Sequence, residues 1–352
     1  MKAPSTLAAL LEAQAERRAD APAYSFLDRA ANAGGGYSFG ALCRRADAIA
    51  SALQARGVGA GERVLIACNN PADFVPAFFA ALRSGAIAVP TPPPRSRQRR
   101  RFESIIDDCR PVAALMAADD ARFLIGADSS PDCRRLIVLD PQLAHDEARL
   151  STPALRPSDV AFLQYTSGST GQPRGVKVTH GAALANLAMI QAAFRQDQDS
   201  GFVGWLPLFH DMGLIGNVLQ PLYLGSTSVL MPPAAFLENP LRWLETISAA
   251  RAHTSGGPDF AYRACVRALA HAPAGWAPDL GAWRVAFNGA EPVRAATLEA
   301  FVRAFAPFGF QASAFLPCYG MAEATLLAAG AGRDQAPRMF DVDAGQLEGG
   351  RA

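Results

Sequence analysis

The chain has 352 residues, 50% apolar and 18% charged, with 33 basic against 32 acidic side chains and a formal net charge of +1. At roughly 150 residues per domain this allows two or three structural units around an ample core, which excludes a mini-protein, wholesale disorder and collagen. The balanced charge excludes broad coating of nucleic acid or of an anionic membrane, because both need a large excess of Lys and Arg.

Thr6 ahead of residues 7–18 reads as the cap of an amphipathic helix, and Tyr37-Ser38-Phe39 leads into a second helix over Ala41 to Arg56. Gly57-Val58-Gly59-Ala60-Gly61 precedes an apolar run instead of following one, so it reads as a helix-to-strand turn and not as a nucleotide loop. Strands are expected at Val64 to Cys68, Ala86 to Val89, Val112 to Met116, Leu136 to Leu139, Val160 to Tyr165, Phe202 to Leu206, Ser228 to Met231 and Val285 to Phe287. Their alternation with helix-like spacers predicts an α/β fold with largely parallel sheets, whose ligands gather at the carboxyl ends of the strands.

Pro90 to Pro94 is expected to be neither helix nor central strand. Arg95, Arg97, Arg99, Arg100 and Arg101 follow it, and read as a solvated helix start, with phosphate or an acidic protein partner as the alternative. Proline, hydroxyl and charged residues from Asp140 to Asp159 suggest a subdomain break. Six cysteines without a CxxC pair, and five histidines without an HExxH helix, give no zinc or disulfide framework. Glu12 interrupts the only N-terminal apolar stretch, and no apolar run reaches 18 residues. These features predict a cytoplasmic protein with reduced, mostly buried thiols and no membrane span.

Thr166-Ser167-Gly168-Ser169-Thr170-Gly171-Gln172-Pro173-Arg174-Gly175-Val176-Lys177 follows the strand expected at Val160. Glycines let a backbone turn its N–H groups inward, hydroxyls donate further bonds, and an ammonium neutralises polyphosphate, so this segment suits a triphosphate cradle. It lacks the GxxxxGK[ST] spacing of kinases and GTPases. Only Lys2 and Lys177 are lysines, so Lys177 is the one internal candidate for lysine chemistry.

With its flanks, YTSGSTGQPRGVKVTH resembles the phosphate-binding signature of the adenylate-forming enzymes. Trp205 to Gly216 resembles that superfamily's acyl-substrate segment, and Pro317 to Thr325 its adenine and magnesium segment. HDMGLIG, Gly256 to Tyr262 and Asn288 to Pro292 look most like the fatty acyl-AMP ligase branch.

The resemblance runs from near residue 5 to near residue 350. It implies the large N-terminal domain of the adenylate-forming fold across residues 1–352: two packed αβαβα-type subdomains with largely parallel sheets, and no C-terminal small domain. The family's later catalytic lysine has no counterpart, because no lysine follows Lys177.

The implied reaction joins a fatty acid to ATP as acyl-AMP with Mg²⁺, for transfer to an acyl carrier protein thiol. By the same resemblance Thr166, Ser167, Gly168, Ser169, Thr170, Gly171 and Lys177 hold phosphate, and Glu323 binds Mg²⁺. Asn288, Gly289, Ala290, Glu291, Tyr319, Gly320, Met321 and Thr325 take the adenylate. Trp205, Phe209, His210, Met212, Gly213 and Gly257 line the acyl pocket, His210 also meeting the carboxylate. The alternatives are a fatty acyl-CoA synthetase fragment, a catalytically silent nucleotide or acyl-adenylate binder, and an unrelated α/β NTPase.

Overall fold

A computed structural model describes residues 4–94, 99–121, 137–140, 150–166, 173–333 and 335–350. The expected first helix is α1 (Leu7–Arg17), capped by Thr6, whose hydroxyl accepts from the Ala9 N–H at 3.1 Å. Helix α2 (Phe39–Ala55) is capped in the same way by Ser38. Gly57 and Gly61 follow it with φ of 84° and 80°, so the glycine run is the expected turn, made by residues that tolerate left-handed backbone. Next come α3 (Pro71–Arg83), α4 (Arg99–Cys109), α5 (Ala118–Ala121) and α6 (His180–Phe194).

Fourteen described strands form two sheets. The first comprises β1 (Pro22–Leu27), β2 (Ala33–Ser38), β9 (Phe202–Gly204), β10 (Ser228–Leu230), β11 (Thr254–Gly257), β12 (Val285–Asn288), β13 (Phe315–Gly320) and β14 (Leu327–Gly330), in the order β14-β13-β12-β11-β9-β10-β1-β2. The second comprises β3 (Arg63–Ile66), β4 (Ile87–Pro90), β5 (Ala113–Leu115), β6 (Ile137–Leu139), β7 (Val160–Thr166) and β8 (Arg174–Thr179), in the order β6-β5-β3-β4-β7-β8. Both are parallel except where β2, β14 and β8 run antiparallel to their neighbours. All eight expected strands are present. The largely parallel α/β architecture is therefore as the alternation of elements implied.

Two expectations fail. Pro90 ends β4, a central strand between β3 and β7; its missing N–H is tolerated because β4 pairs with β7 only at Ala88 and Phe162 among the described residues. The segment from Asp140 to Asp159 is not a subdomain break, since β6 before it and β7 after it belong to the same sheet. The chain changes sheets after β2 and again after β8.

Apolar side chains of both sheets and of α1 to α3 share one buried cluster, and a second lies between α4 and the outer face of the six-stranded sheet. The described cysteines form no disulfide, and four of the five are buried; Cys133 lies outside the described residues. No described helix is long and apolar enough to cross a membrane.

Candidate active site

The two sheets meet where their parallel strands end. Gln164 of β7 donates from Nε2 to the Phe209 carbonyl at 2.9 Å, tying the phosphate-side strand to the segment after β9. Beside this joint lies a cavity of about 80 Å³. Asp211, Gly289, Ala290, Tyr319 and Gly320 surround its mouth, and Ile190, Phe194, Phe202, Met212, Phe287 and Leu326 form its walls.

Met212, Gly216 and Gln220 each line the cavity, four residues apart on one helical path. That path contains a π-helical turn over Ile215–Leu219, a feature frequent at functional sites. A Cβ placed on Gly216 would meet nothing within 4 Å, so this glycine leaves the cavity open at mid-depth. From Asp211 to Gln220 the helical rise amounts to roughly 13 Å. From the level of Thr254 to that of Gly289 the strand rise amounts to about 13 Å as well. The cavity is thus a narrow apolar slot running along the sheet under α6.

Two strained turns frame the mouth. Ala290 has φ of 66°, and Thr325, buried, has φ of 72° with ψ of −60°, near the rare γ-turn with positive φ. Gly289 must be glycine, because a Cβ there would lie 2.7 Å from the Cys318 carbonyl oxygen. Asn288 is fully buried, and neither atom of its side-chain amide has a hydrogen-bond partner among the described residues. Tyr319 leaves its ring 61% exposed beside them, open for stacking. Glu323 is exposed in the turn Ala322–Ala324 and close enough to Asp211 to raise that carboxyl's pKa; burial of Asp211 is the larger cause.

His210 is exposed beside Asp211, which lines the cavity. Desolvation and the Arg101 guanidinium lower its pKa while Asp211 opposes them, which favours the neutral imidazole. Arg101 was expected on a solvated helix start. Instead it donates from Nη2 to the Tyr165 carbonyl at 3.3 Å, and its buried Nε has no partner among the described residues. A cation so placed lies beside the end of β7, in keeping with the alternative reading of the arginine run.

Packing separates the other residues expected at the acyl pocket. Trp205 is buried in an aromatic cluster, stacked on Phe236 with ring centroids 3.8 Å apart. A Cβ on Gly257 would sit 2.8 Å from that indole, and one on Gly213 would sit 2.2 Å from the Pro207 carbonyl oxygen. These three residues shape the wall from behind, and Phe209 contributes its carbonyl to Gln164. Of the six residues expected in the acyl pocket, Met212 lines the cavity and His210 flanks its mouth. Glu291 is engaged elsewhere, accepting the Phe260 N–H at 2.6 Å.

Lys177 lies on the α4 side of β8. A Cβ on Gly175 would lie 2.9 Å from the Tyr165 ring, and Tyr165 bonds to Asp108 of α4, so Gly175 faces α4. Lys177, two residues on and paired with Leu163, shares that face and is exposed. The cation on the Gln164 face of β8 is Arg174, opposite Thr166. Ser167, Gly168, Ser169, Thr170 and Gly171 lie outside the described residues.

Two mixed sheets meeting over a slot with an unpaired amide, an exposed aromatic ring and a strained turn at its mouth define a ligand-binding α/β domain. The chain belongs to the AMP-binding enzyme family, whose profile matches residues 11–345. It is 37% identical to a medium-chain-fatty-acid–(acyl-carrier-protein) ligase of Teredinibacter turnerae over 96% of its own length and 59% of that protein. A long-chain-fatty-acid–AMP ligase of Mycolicibacterium smegmatis is 34% identical over 99% of this chain and 57% of its own length. The solved fatty acyl-adenylate ligase of Legionella pneumophila, in complex with acyl adenylate and pyrophosphate, superposes with a TM-score of 0.86 at 36% identity, covering 95% of this chain and 58% of that one. The chain therefore spans about three-fifths of the length of these relatives.

Proposed function

We propose that this chain is the part of a fatty acyl-AMP ligase that binds ATP and a fatty acid, joins them as acyl-AMP, and presents the product to an acyl carrier protein thiol. The supporting observation is one cavity lined both by the Met212, Gly216 and Gln220 stripe and by Gly289, Ala290, Tyr319 and Gly320. An apolar slot opening beneath a nucleotide-sized mouth suits an acyl chain whose carboxylate must meet an α-phosphate.

A carboxylate is a poor acyl donor, because its leaving group would be oxide. In the proposed reaction its oxygen attacks the α-phosphorus, the bond to the bridging oxygen breaks, and pyrophosphate leaves with the bonding pair. Two anions must approach, so positioning and charge neutralisation dominate the catalysis. Arg101 and neutral His210 stand where a carboxylate enters, one as a fixed cation and the other as a hydrogen-bond donor. Asn288, Gly289 and Ala290 form one side of the adenylate site, with the Tyr319 ring, Gly320, Met321 and Thr325 on the other. Thr166, the hydroxyl-rich loop and Arg174 serve the β- and γ-phosphates.

Glu323 fits Mg²⁺: it is an exposed oxygen donor with no hydrogen bond or ion pair among the described residues, and this cation commonly uses one or two carboxylates together with substrate phosphates. When bound, the ion would neutralise phosphate charge.

The test is to incubate the chain with ATP, Mg²⁺ and a fatty acid and to separate the products. Acyl-AMP and pyrophosphate are expected, and ADP would overturn the reading. Adding a phosphopantetheinylated carrier protein should then consume acyl-AMP, whereas consumption by free CoA alone would replace the carrier as acceptor.

A further inference from the structure

The apolar slot ends on a polar floor. Gln196, Gln220 and Thr254 all line the cavity, and all are at least nine-tenths buried, in a wall otherwise made of Phe194, Phe202 and their apolar neighbours. Gln220 donates from Nε2 to Gln196 Oε1 at 3.0 Å, and Gln196 donates from Nε2 to Thr254 Oγ1 at 3.1 Å. His253 Nδ1 lies 2.9 Å from the same Thr254 oxygen, and His253 Nε2 lies 3.1 Å from Arg333 Nη2.

Arginine nitrogens only donate, so His253 Nε2 must accept and its proton sits on Nδ1. Burial and the nearby guanidinium bring this histidine's pKa down to about 4, in keeping with a neutral ring. The Nδ1–H therefore donates to Thr254 Oγ1, which accepts from His253 and Gln196 together. Two groups are left over. Among the described residues the Thr254 hydroxyl, which accepts twice, donates to nothing, and Gln220 Oε1 is buried with no partner.

We propose that this floor is a subsite for a hydroxyl group carried on the distal part of the acyl chain, so that the substrate class is a hydroxylated fatty acid. The substrate hydroxyl donates to Gln220 Oε1 and accepts from the Thr254 hydroxyl, supplying both missing partners with one atom. The slot's depth of roughly 13 Å, by strand rise, sets where along the chain that group must lie. A hydrocarbon terminus would leave a donor and an acceptor unpaired in an apolar cavity, a situation that sites built for a hydroxyl discriminate against strongly. The proposal rests on reading the slot as the acyl pocket.

The test uses non-hydrolysable acyl-sulfamoyl-adenosines, comparing a chain-length series of plain acyl groups with their ω-hydroxy counterparts by calorimetric titration of the chain. At the length that reaches the floor, the hydroxylated analogue should bind about 10-fold or more tightly, the order expected for one satisfied buried hydrogen bond. Thr254→Val and, independently, Gln220→Met should erase that preference while the plain analogues still bind. Equal affinity of plain and hydroxylated chains at every length would overturn the subsite alone. If no acyl analogue outbinds AMP, the acyl-pocket reading and the subsite fall together.

Discussion

Asn186 and Leu327 bind each other in both directions: the Asn186 side chain donates from Nδ2 to the Leu327 carbonyl at 2.9 Å, and the Leu327 N–H donates back to Asn186 Oδ1 at 3.1 Å. Asn186 also donates to the Ala324 carbonyl at 3.3 Å. One buried amide in α6 thus holds the start of β14 and the turn that carries Glu323 and strained Thr325. Asn186→Leu would leave those backbone groups buried and unpaired, at a cost of about 1–3 kcal/mol each. Denaturant melts should show the loss, and Mg²⁺-dependent ATP binding should weaken. An unchanged melt would mean the bond pair holds nothing in place.

Gly216 controls how far a chain can travel. Gly216→Leu adds a side chain into open space at mid-depth of the slot, on a helix that accommodates leucine readily. Affinity for long acyl-adenylate analogues should fall at least 10-fold, while AMP and the shortest analogues bind as before. Titration across the chain-length series reads this directly, and a uniform loss for AMP as well would point to a damaged fold.

Much of this site was legible in the sequence because its signals are local. The glycine and hydroxyl loop, the HDMGLIG stretch and the Tyr319 to Thr325 run each hold their chemistry within a few residues. Strands β1, β2, β8, β11, β13 and β14 were not expected; AGGGYS, TSGG, FLPCYG and LAAG among them carry glycine or proline that lower strand propensity and are held by their neighbours. The polar floor was equally hidden, because Gln196 lies 24 residues from Gln220 and 58 from Thr254. The motif alone leaves Trp205 to a hydrophobic wall of either core or acyl pocket; its ring contacts are with Phe236, Trp243 and Phe260. Motif order does not say which side of a wall a ring occupies.

The cations Lys177, Arg174 and Arg101 should behave differently. Lys177→Ala should leave ATP affinity within about 2-fold of the parent, as expected for an exposed group on the α4 face. Arg174→Ala and Arg101→Ala should each weaken ATP or fatty-acid binding by about 10-fold, the scale of a lost charge-assisted contact. Equilibrium dialysis with labelled ATP and with a fatty acid separates the outcomes; a large loss in Lys177→Ala alone would restore the reading taken from the motif.

Stability should fall on the acid side through His180. Its Nδ1 accepts the Leu7 N–H at 3.2 Å, and burial, only partly opposed by Asp159, lowers its pKa from 6.5 to about 4. The unfolded chain therefore binds more protons between those values, so stability is complete above the unfolded pKa and is lost as pH falls toward the folded one. The contribution is up to about 3 kcal/mol. His180→Gln, which keeps an acceptor but cannot titrate, should flatten that part of the pH profile in urea melts. A profile unchanged by the substitution would assign the acid loss to other groups.

The most direct test of the central claim, that one continuous cavity takes both an acyl chain and an adenylate, is to titrate the chain with AMP and with a non-hydrolysable acyl-adenylate, in the parent and in Gly216→Leu. The parent should bind the acyl-adenylate far more tightly than AMP, and the substitution should remove that difference while leaving AMP affinity intact. Equal binding of AMP and acyl-adenylate by the parent would contradict the claim.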